Sequence, residues 1–179
     1  MPSSDSILIQ IADAALAEVT RKSGSWLACR PGCSQCCLGP FAITQLDALR
    51  LRRGLAELET RDASRAARIR ERVRAAAALQ PEATETQAED EPCPVLDPET
   101  QTCDLYASRP MTCRAFGPPV RTPEGVGVCE LCFDGASEQQ IVACLLDIDP
   151  EDREAALIEE AEQATGVRGM TSVAVCLTS

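Results

Sequence analysis

The sequence predicts a mostly α-helical fold in which helices pack around irregular loops that carry cysteines. Apolar residues repeat at helical spacing in several segments, and the cysteines concentrate in two short blocks that are rich in proline and glycine. A chain of 179 residues can form one domain with a modest core. We therefore expect a single domain over residues 1–179 with its core motif at 29–133, and the sequence leaves room for one short β-hairpin.

The first predicted helix covers residues 4–22. Ser4 or Asp5 can cap its start, and Gly24 can end it. Its apolar side chains fall on one face, as expected of a helix that packs against a core. They are Leu8, Ile11, Ala12, Ala15, Leu16 and Val19.

Two further helices are predicted at 44–58 and about 61–80. Thr44 followed by Asp47 resembles a capping box. Gly54 is a weak point in the helix at 44–58, and Pro81 should stop the helix at 61–80. Nine of the sixteen arginines lie on these helices, where they could bind an acidic partner. A solvated face balanced by nearby acids is the simpler interpretation. The acidic stretch 81–91 should form a loop near them.

Nine of the eleven cysteines fall in two blocks. The first block, at 25–40, contains Cys29, Cys33, Cys36 and Cys37, and the second, at 92–133, contains Cys93, Cys103, Cys113, Cys129 and Cys132. Between Cys113 and Cys129, the turn at 123–125 predicts a short hairpin over 117–129.

Two helices are predicted to close the domain. Ser137 should cap the first, whose buried stripe would be Ile141, Cys144, Leu145 and Ile148. Asp149 followed by Pro150 should start the second, which runs to about 165. The apolar tail after it is expected to dock onto the core.

The cysteine blocks indicate metal binding. The chain has no histidine, so an ion must be held mainly by thiolates, which favour zinc, Cu(I) or iron–sulfur chemistry. Cys33 with Cys36, and Cys129 with Cys132, have the C-x2-C spacing that lets two thiolates reach one ion. The count fits two four-thiolate sites with one spare thiol, or one iron–sulfur cluster with extra thiols. Adjacent Cys36 and Cys37 should point in different directions.

The two cysteines outside the blocks and the residues around Cys113 have simpler roles. Cys144 and Cys176 lie on apolar stretches and should be buried as small hydrophobic side chains. Arg109 and Arg114 flank Cys113 and could bind an anion, although supporting the ligands through hydrogen bonds is the simpler role. Tyr106 should contribute to packing around the site.

Composition also indicates the cellular compartment and the classes of partner to expect. The odd cysteine count and the acids within the first twenty residues argue against a secreted disulfide framework, a signal peptide or a membrane span, so we expect reduced thiols in the cytoplasm. The formal net charge of −11 argues against general nucleic-acid binding.

The cysteine pattern also resembles a known family. The order C29-x3-C33-x2-C36-C37, C93-P-x-L, C103-x-L-Y-x-x-R-P-x-x-C113-R-x-F, and then Cys129 or Cys132, is similar to the YkgJ-type CxxCxxCC family, described as zinc- or iron-chelating. The resemblance implies that Cys29, Cys33, Cys36, Cys37, Cys93, Cys103 and Cys113 are ligands together with one late cysteine, for which Cys132 is slightly preferred. Here three residues, rather than two, separate Cys29 from Cys33.

The leading functional hypothesis is a non-catalytic metal-binding protein with a structural, metal-handling or accessory role, holding zinc or else iron or an iron–sulfur cluster. No constellation of catalytic residues is present, so we assign none. An iron–sulfur redox enzyme or electron carrier is the alternative. A relative, the flagellin lysine-N-methylase, has a similar cysteine motif, but this chain has no G-x-G-x-G loop for a methyl donor. The sequence indicates a metal ion as a partner and does not identify a protein partner.

Overall fold

The computed structural model describes residues 3–39, 41–79 and 91–178. Within them, the prediction of a mostly α fold is confirmed. The α-helices are α1 (Ser4–Ser23), α2 (Gln45–Arg61), α3 (Ala63–Leu79), α4 (Met111–Ala115), α5 (Glu138–Ala143), α6 (Arg153–Thr165) and α7 (Val173–Leu177). The strands are β1 (Ala42–Ile43), β2 (Leu96–Asp97), β3 (Thr102–Cys103), β4 (Val120–Thr122), β5 (Gly125–Gly127) and β6 (Thr171–Ser172).

The chain forms two compact units. Unit 1 consists of residues 1–30 and 111–157, and unit 2 consists of residues 31–110 and 158–179, so the division falls within α6. The expectation of a single domain over 1–179 stays a prediction. Among the described residues, no helix combines the length and the apolar character needed to cross a membrane.

Unit 1 packs α1 against α4 and surrounds a small core. The core side chains come from α1 and from the loops on either side of α5: Val19, Cys129, Cys132, Phe133, Cys144 and Leu146. Strands β4 and β5 form the predicted hairpin, in which Val120 pairs with Gly127 and Thr122 with Gly125. The hairpin at 117–129 is therefore confirmed, with its strands lying inside the predicted range.

Unit 2 is built on three mutually packed helices, α2, α3 and α7. Its core contains Ala66, Ile69 and Val73, which repeat at helical spacing along α3, together with Leu51, Leu55 and Cys176. Strand β6 pairs with β1 through Ala42 and Ser172 and thereby brings the tail into this core. The predicted docking of the apolar tail is confirmed in unit 2, where Val173, Ala174, Cys176 and Leu177 are buried.

Several helix boundaries differ from the predictions. The cap of α1 is Ser3, whose hydroxyl accepts a hydrogen bond from the N–H of Ser6, so the choice of Ser4 or Asp5 is wrong. Gly24 ends α1 as predicted, with φ of +52°. Thr44 caps α2 as predicted and accepts from the N–H of Asp47 at 3.1 Å. The predictions for 80–90, including the stop at Pro81, lie outside the described residues.

The two closing helices begin or end differently from the prediction. Ser137 caps α5 in a full capping box with Gln140, but α5 ends at Ala143. Cys144, Leu145 and Ile148 therefore follow the helix instead of forming a helical stripe. Helix α6 begins at Arg153 rather than near Pro150, since Asp152 adopts a left-handed φ of +52°. Asp149 still accepts hydrogen bonds from the N–H groups of Arg153 and Glu154.

Candidate metal centre

All eleven cysteines lie among the described residues, and no disulfide bond joins any two of them. The two compact units divide the nine predicted ligands. Unit 1 holds Cys29, Cys113, Cys129 and Cys132, whereas unit 2 holds Cys33, Cys36, Cys37, Cys93 and Cys103.

A short 3₁₀ turn over Gln35–Cys37 presents two thiols of unit 2 together. The N–H of Cys37 donates to the carbonyl of Ser34, and the sulfur atoms of Cys36 and Cys37 lie 4.0 Å apart. The prediction that these adjacent side chains point in different directions is therefore wrong. The tight turn and the side-chain rotamers bring the two sulfur atoms within hydrogen-bond contact instead.

The second cysteine block is tied directly to this turn. The N–H of Cys93 donates to the carbonyl of Cys37 at 2.7 Å, and Leu38 forms an isolated bridge with Pro92. Cys103 ends β3, which pairs with β2 through Leu96. Cys93 and Cys103 both pack against the core of unit 2. Backbone pairing thus gathers the Cys36–Cys37 turn and both ends of the β2–β3 hairpin in one part of unit 2.

The thiols of this cluster influence each other's ionisation. The hydrogen bond between the two thiols lowers the pKa of Cys36 to about 7 and raises that of Cys37. Burial raises the pKa of Cys93, and it raises the pKa of Cys103 to about 11. The charge of a neighbouring thiolate in the set also raises the pKa of Cys37, Cys93 and Cys103, so ionising one thiol opposes ionisation of the others. A bound cation would relieve that repulsion.

Backbone N–H groups favour the ionised form of two of these thiols. The backbone N–H groups of Val95 and Leu96 act to lower the pKa of Cys93, and that of Leu105 acts to lower the pKa of Cys103. Hydrogen bonds to the charged form of a group lower its pKa, although burial outweighs them here. The backbone that follows each cysteine therefore partly offsets the cost of ionising its thiol.

Arg109 is a cation beside this cluster. It is 8% exposed, its guanidinium carbon lies 4.0 Å from the centre of the Tyr106 ring, and it donates to the Tyr106 carbonyl at 3.0 Å. Its charge assists the lowering of the pKa of Cys36. Tyr106 is 62% exposed and serves as a platform for this guanidinium. The predicted roles of these two residues as supports for the ligands stay predictions.

In unit 1, Gly117 connects two of the predicted ligands. The sulfur of Cys29 lies 2.5 Å from the place that a Cβ atom on Gly117 would take, and the carbonyl of Gly117 accepts from the N–H of Cys129 at 3.4 Å. The N–H of Cys132 donates to the carbonyl of Cys129 at 2.8 Å, which closes the turn of this C-x2-C pair. Cys129 and Cys132 are both buried in the unit 1 core.

Cys113 lies in α4, and the following Arg114 fastens this helix to α1. Arg114 is 2% exposed and donates to the carboxylate of Asp13 at 2.5 Å. The ion pair fixes the backbone next to Cys113. Cys144 and Cys176 are buried in the two cores, as the sequence predicted.

The donor set fits a soft metal ion chemically. Thiolates are ligands that zinc and iron prefer, and the 4.0 Å between the Cys36 and Cys37 sulfur atoms is close to the roughly 3.8 Å expected for two thiolates on one tetrahedral zinc ion. In the part of the chain that the structure describes, no three cysteine or acidic side chains are already close enough to hold an ion together.

Sequence reasoning missed one anchoring residue in unit 2. Asp104 directly follows Cys103, its side chain is 1% exposed, and it pairs with Arg65 and Arg72 of α3 at 2.5 Å each. Its charge and its position beside a predicted ligand were visible in the sequence, but its partners lie more than thirty residues earlier.

Comparison with known proteins supports the metal assignment. No curated protein and no solved structure matches the chain significantly. A family model, CxxCxxCC, described as "Putative zinc- or iron-chelating domain", matches residues 28–133. The matched segment contains all nine clustered cysteines and supports binding of a metal ion, without deciding between zinc and iron. Because the match covers more than half of the chain, the protein belongs to the CxxCxxCC family.

Proposed function

We propose that the protein is a non-catalytic, zinc-binding protein that holds one ion in each of its two compact units, in a structural or metal-handling role. The observation that carries the proposal is the thiol cluster of unit 2, where Cys36, Cys37, Cys93 and Cys103 are gathered by backbone pairing and sense one another's charge. Unit 2 would draw four ligands from these thiols and Cys33. Unit 1 would use Cys29, Cys113, Cys129 and Cys132.

Zinc is proposed because the donors available are almost purely thiolate. Four thiolates around zinc form a closed structural site, which leaves no open position for a substrate. The ion would neutralise part of the negative charge that the thiolates accumulate and would draw in sulfur atoms that are still apart, so that binding contributes to folding. Reduced thiols require a reducing compartment, and we therefore propose the cytoplasm.

Elemental analysis with an absorption spectrum tests the proposal on protein prepared without oxygen and without added metal. We expect about two zinc ions per chain and no visible colour. Replacing both Cys36 and Cys37 by serine should remove one ion and leave the other. The matched control is Cys144→Ala, since Cys144 is buried outside the two blocks and its loss should leave both ions in place.

Two results would contradict the proposal. A protein that contains no metal and unfolds identically in strong chelator would have no metal centre. Iron with an equal amount of sulfide and a brown colour would instead establish an iron–sulfur protein and would favour a redox function.

A further inference from the structure

Arg72 joins the two turns that carry Cys93 and Cys103. Its Nε donates to the carbonyl of Pro94 at 2.9 Å, and its Nη2 donates to the carboxylate of Asp104 at 2.5 Å. Pro94 is the residue after Cys93, and Asp104 is the residue after Cys103. One planar guanidinium thus contacts the position that follows each of the two cysteines.

The rest of the local structure makes this bridge rigid. The N–H of Asp104 donates to the carbonyl of Val95, and Arg65 takes the second carboxylate oxygen of Asp104 at 2.5 Å. The carboxylate is 1% exposed, so it depends on these two partly exposed arginines for its charge-assisted hydrogen bonds. Arg72 itself is anchored, because the flanking residues Ile69 and Val73 of α3 are fully buried.

We propose that Arg72 is a positioning residue of the unit 2 metal centre, which sets the separation of the Cys93 and Cys103 sulfur atoms by bridging Pro94 and Asp104. The inference rests on the proposed metal function. It assigns to α3 a role inside unit 2 that is distinct from binding an acidic partner.

The bridge depends on the shape of the arginine side chain as well as on its charge. A guanidinium presents several N–H groups in a fixed plane and can satisfy two acceptors at once. A lysine at the same place keeps the positive charge but provides a single ammonium on a flexible stem. Residues that orient metal ligands from outside the coordination shell change metal affinity by roughly 10- to 100-fold when they are replaced.

Zinc affinity, measured by competition with a chromophoric chelator, tests the inference on the full chain. We expect Arg72→Lys to weaken one of the two zinc ions by about 10-fold and Arg72→Gln to weaken it by about 100-fold, with the other ion unchanged. Arg68→Gln is the matched control, because Arg68 is exposed on the same helix and its loss removes the same charge. The spectrum of the cobalt-substituted Lys variant should also shift, reporting altered ligand geometry.

The Lys variant keeps charge and bulk, so it remains informative if the Gln variant fails to fold. Wild-type affinity and an unchanged cobalt spectrum in Arg72→Lys would overturn the role of Arg72 while leaving the metal function intact. If Arg68→Gln weakened zinc binding equally, the loss of positive charge on α3 would explain the effect, and the positioning role of Arg72 would also be overturned. If the wild-type protein takes up no zinc, the proposed function fails and the role of Arg72 fails with it.

Discussion

The sulfur of Cys29 occupies the space beside Gly117 that the side chain of any other residue would need. A Cβ atom on Gly117 would lie 2.5 Å from this sulfur and 3.7 Å from a methyl carbon of Leu27. The φ of Gly117 is +112°, which only glycine adopts readily. Gly117 therefore allows the first cysteine of the motif to approach the loop that leads to Cys129.

Replacing Gly117 by alanine should destabilise unit 1. The added methyl group must displace the Cys29 sulfur and strain the backbone, and we expect a loss of about 2–4 kcal/mol in the free energy of unfolding, measured by urea denaturation. Gly135→Ala is the control, because Gly135 has a φ of +73° but nothing within 4 Å of its added Cβ. Equal losses in the two variants would mean that contact with Cys29 is unimportant.

A second glycine lies where α2 approaches the 3₁₀ turn Tyr106–Ser108. A Cβ atom on Gly54 would lie 2.3 Å from the hydroxyl and 2.6 Å from the Cβ of Ser108. Alanine favours helices by about 1 kcal/mol over glycine, but overpacking costs about 1–3 kcal/mol. We predict a net loss of stability of up to about 2 kcal/mol in Gly54→Ala.

A double-mutant cycle identifies the source of that loss. Ser108→Gly removes both atoms that the new methyl group would meet, so Gly54→Ala should be neutral or stabilising in the Ser108→Gly background. Thermal unfolding of the four proteins measures the coupling. An undiminished penalty in that background would show that Ser108 is not the cause.

The short distance between the Cys36 and Cys37 sulfur atoms predicts that the two residues share one ion. In a Cys33→Ser background, which leaves unit 2 no spare thiol, Cys36→Ser, Cys37→Ser and the double replacement should then each lose the same single zinc ion, as counted by elemental analysis of the purified proteins. If the two thiols served different ions, the double variant would lose both ions while each single variant lost one.

The stability of the metal-free protein should fall at alkaline pH partly because of Cys176. Burial raises the pKa of this thiol to about 12 from a value near 9. A raised pKa in the folded state gives stability that is complete below about pH 9 and is lost as pH rises towards 12. Replacing Cys176 should therefore reduce the slope of the unfolding free energy against pH by up to about 1.4 kcal/mol per pH unit.

Urea denaturation of Cys176→Ala between pH 9 and 11 measures this slope. Val173→Ala is the control, because Val173 is buried in the same helix and does not titrate. It should lower stability by a similar amount at every pH. A wild-type slope in Cys176→Ala would show that this thiol does not remain protonated in the folded protein.

Periodicity and capping signals predicted the long helices well. The face of α3 and the Thr44 cap of α2 follow from residues within a few positions of each other, so local chemistry determines them. The start of α6 was mistaken because Asp149 and Pro150 form a strong local signal. The left-handed Asp152 and the hydrogen bonds from Asp149 to the N–H groups of Arg153 and Glu154 place the helix start later.

The candidate site was likewise predicted only in part. The spacing of the cysteines and their similarity to a family indicated the chemistry and the candidate ligands, because those signals lie in the order of residues along the chain. The bridge from Arg72 to Pro94 and Asp104 was not predictable, since it joins segments that only the packed helices bring together. The same is true of β1 and β6, whose two-residue strands are too short to show a pattern.

Unit 2 is assembled from two stretches of chain, 31–110 and 158–179, and its core includes Val173, Cys176 and Leu177. During synthesis, the cysteines from Cys33 to Cys103 leave the ribosome well before α7 is made. The nascent chain therefore exposes these thiols during an interval in which the core that later packs against Cys93 and Cys103 cannot close. The order of synthesis thus leaves these thiols open to metal ions and to oxidants before their own core can shield them.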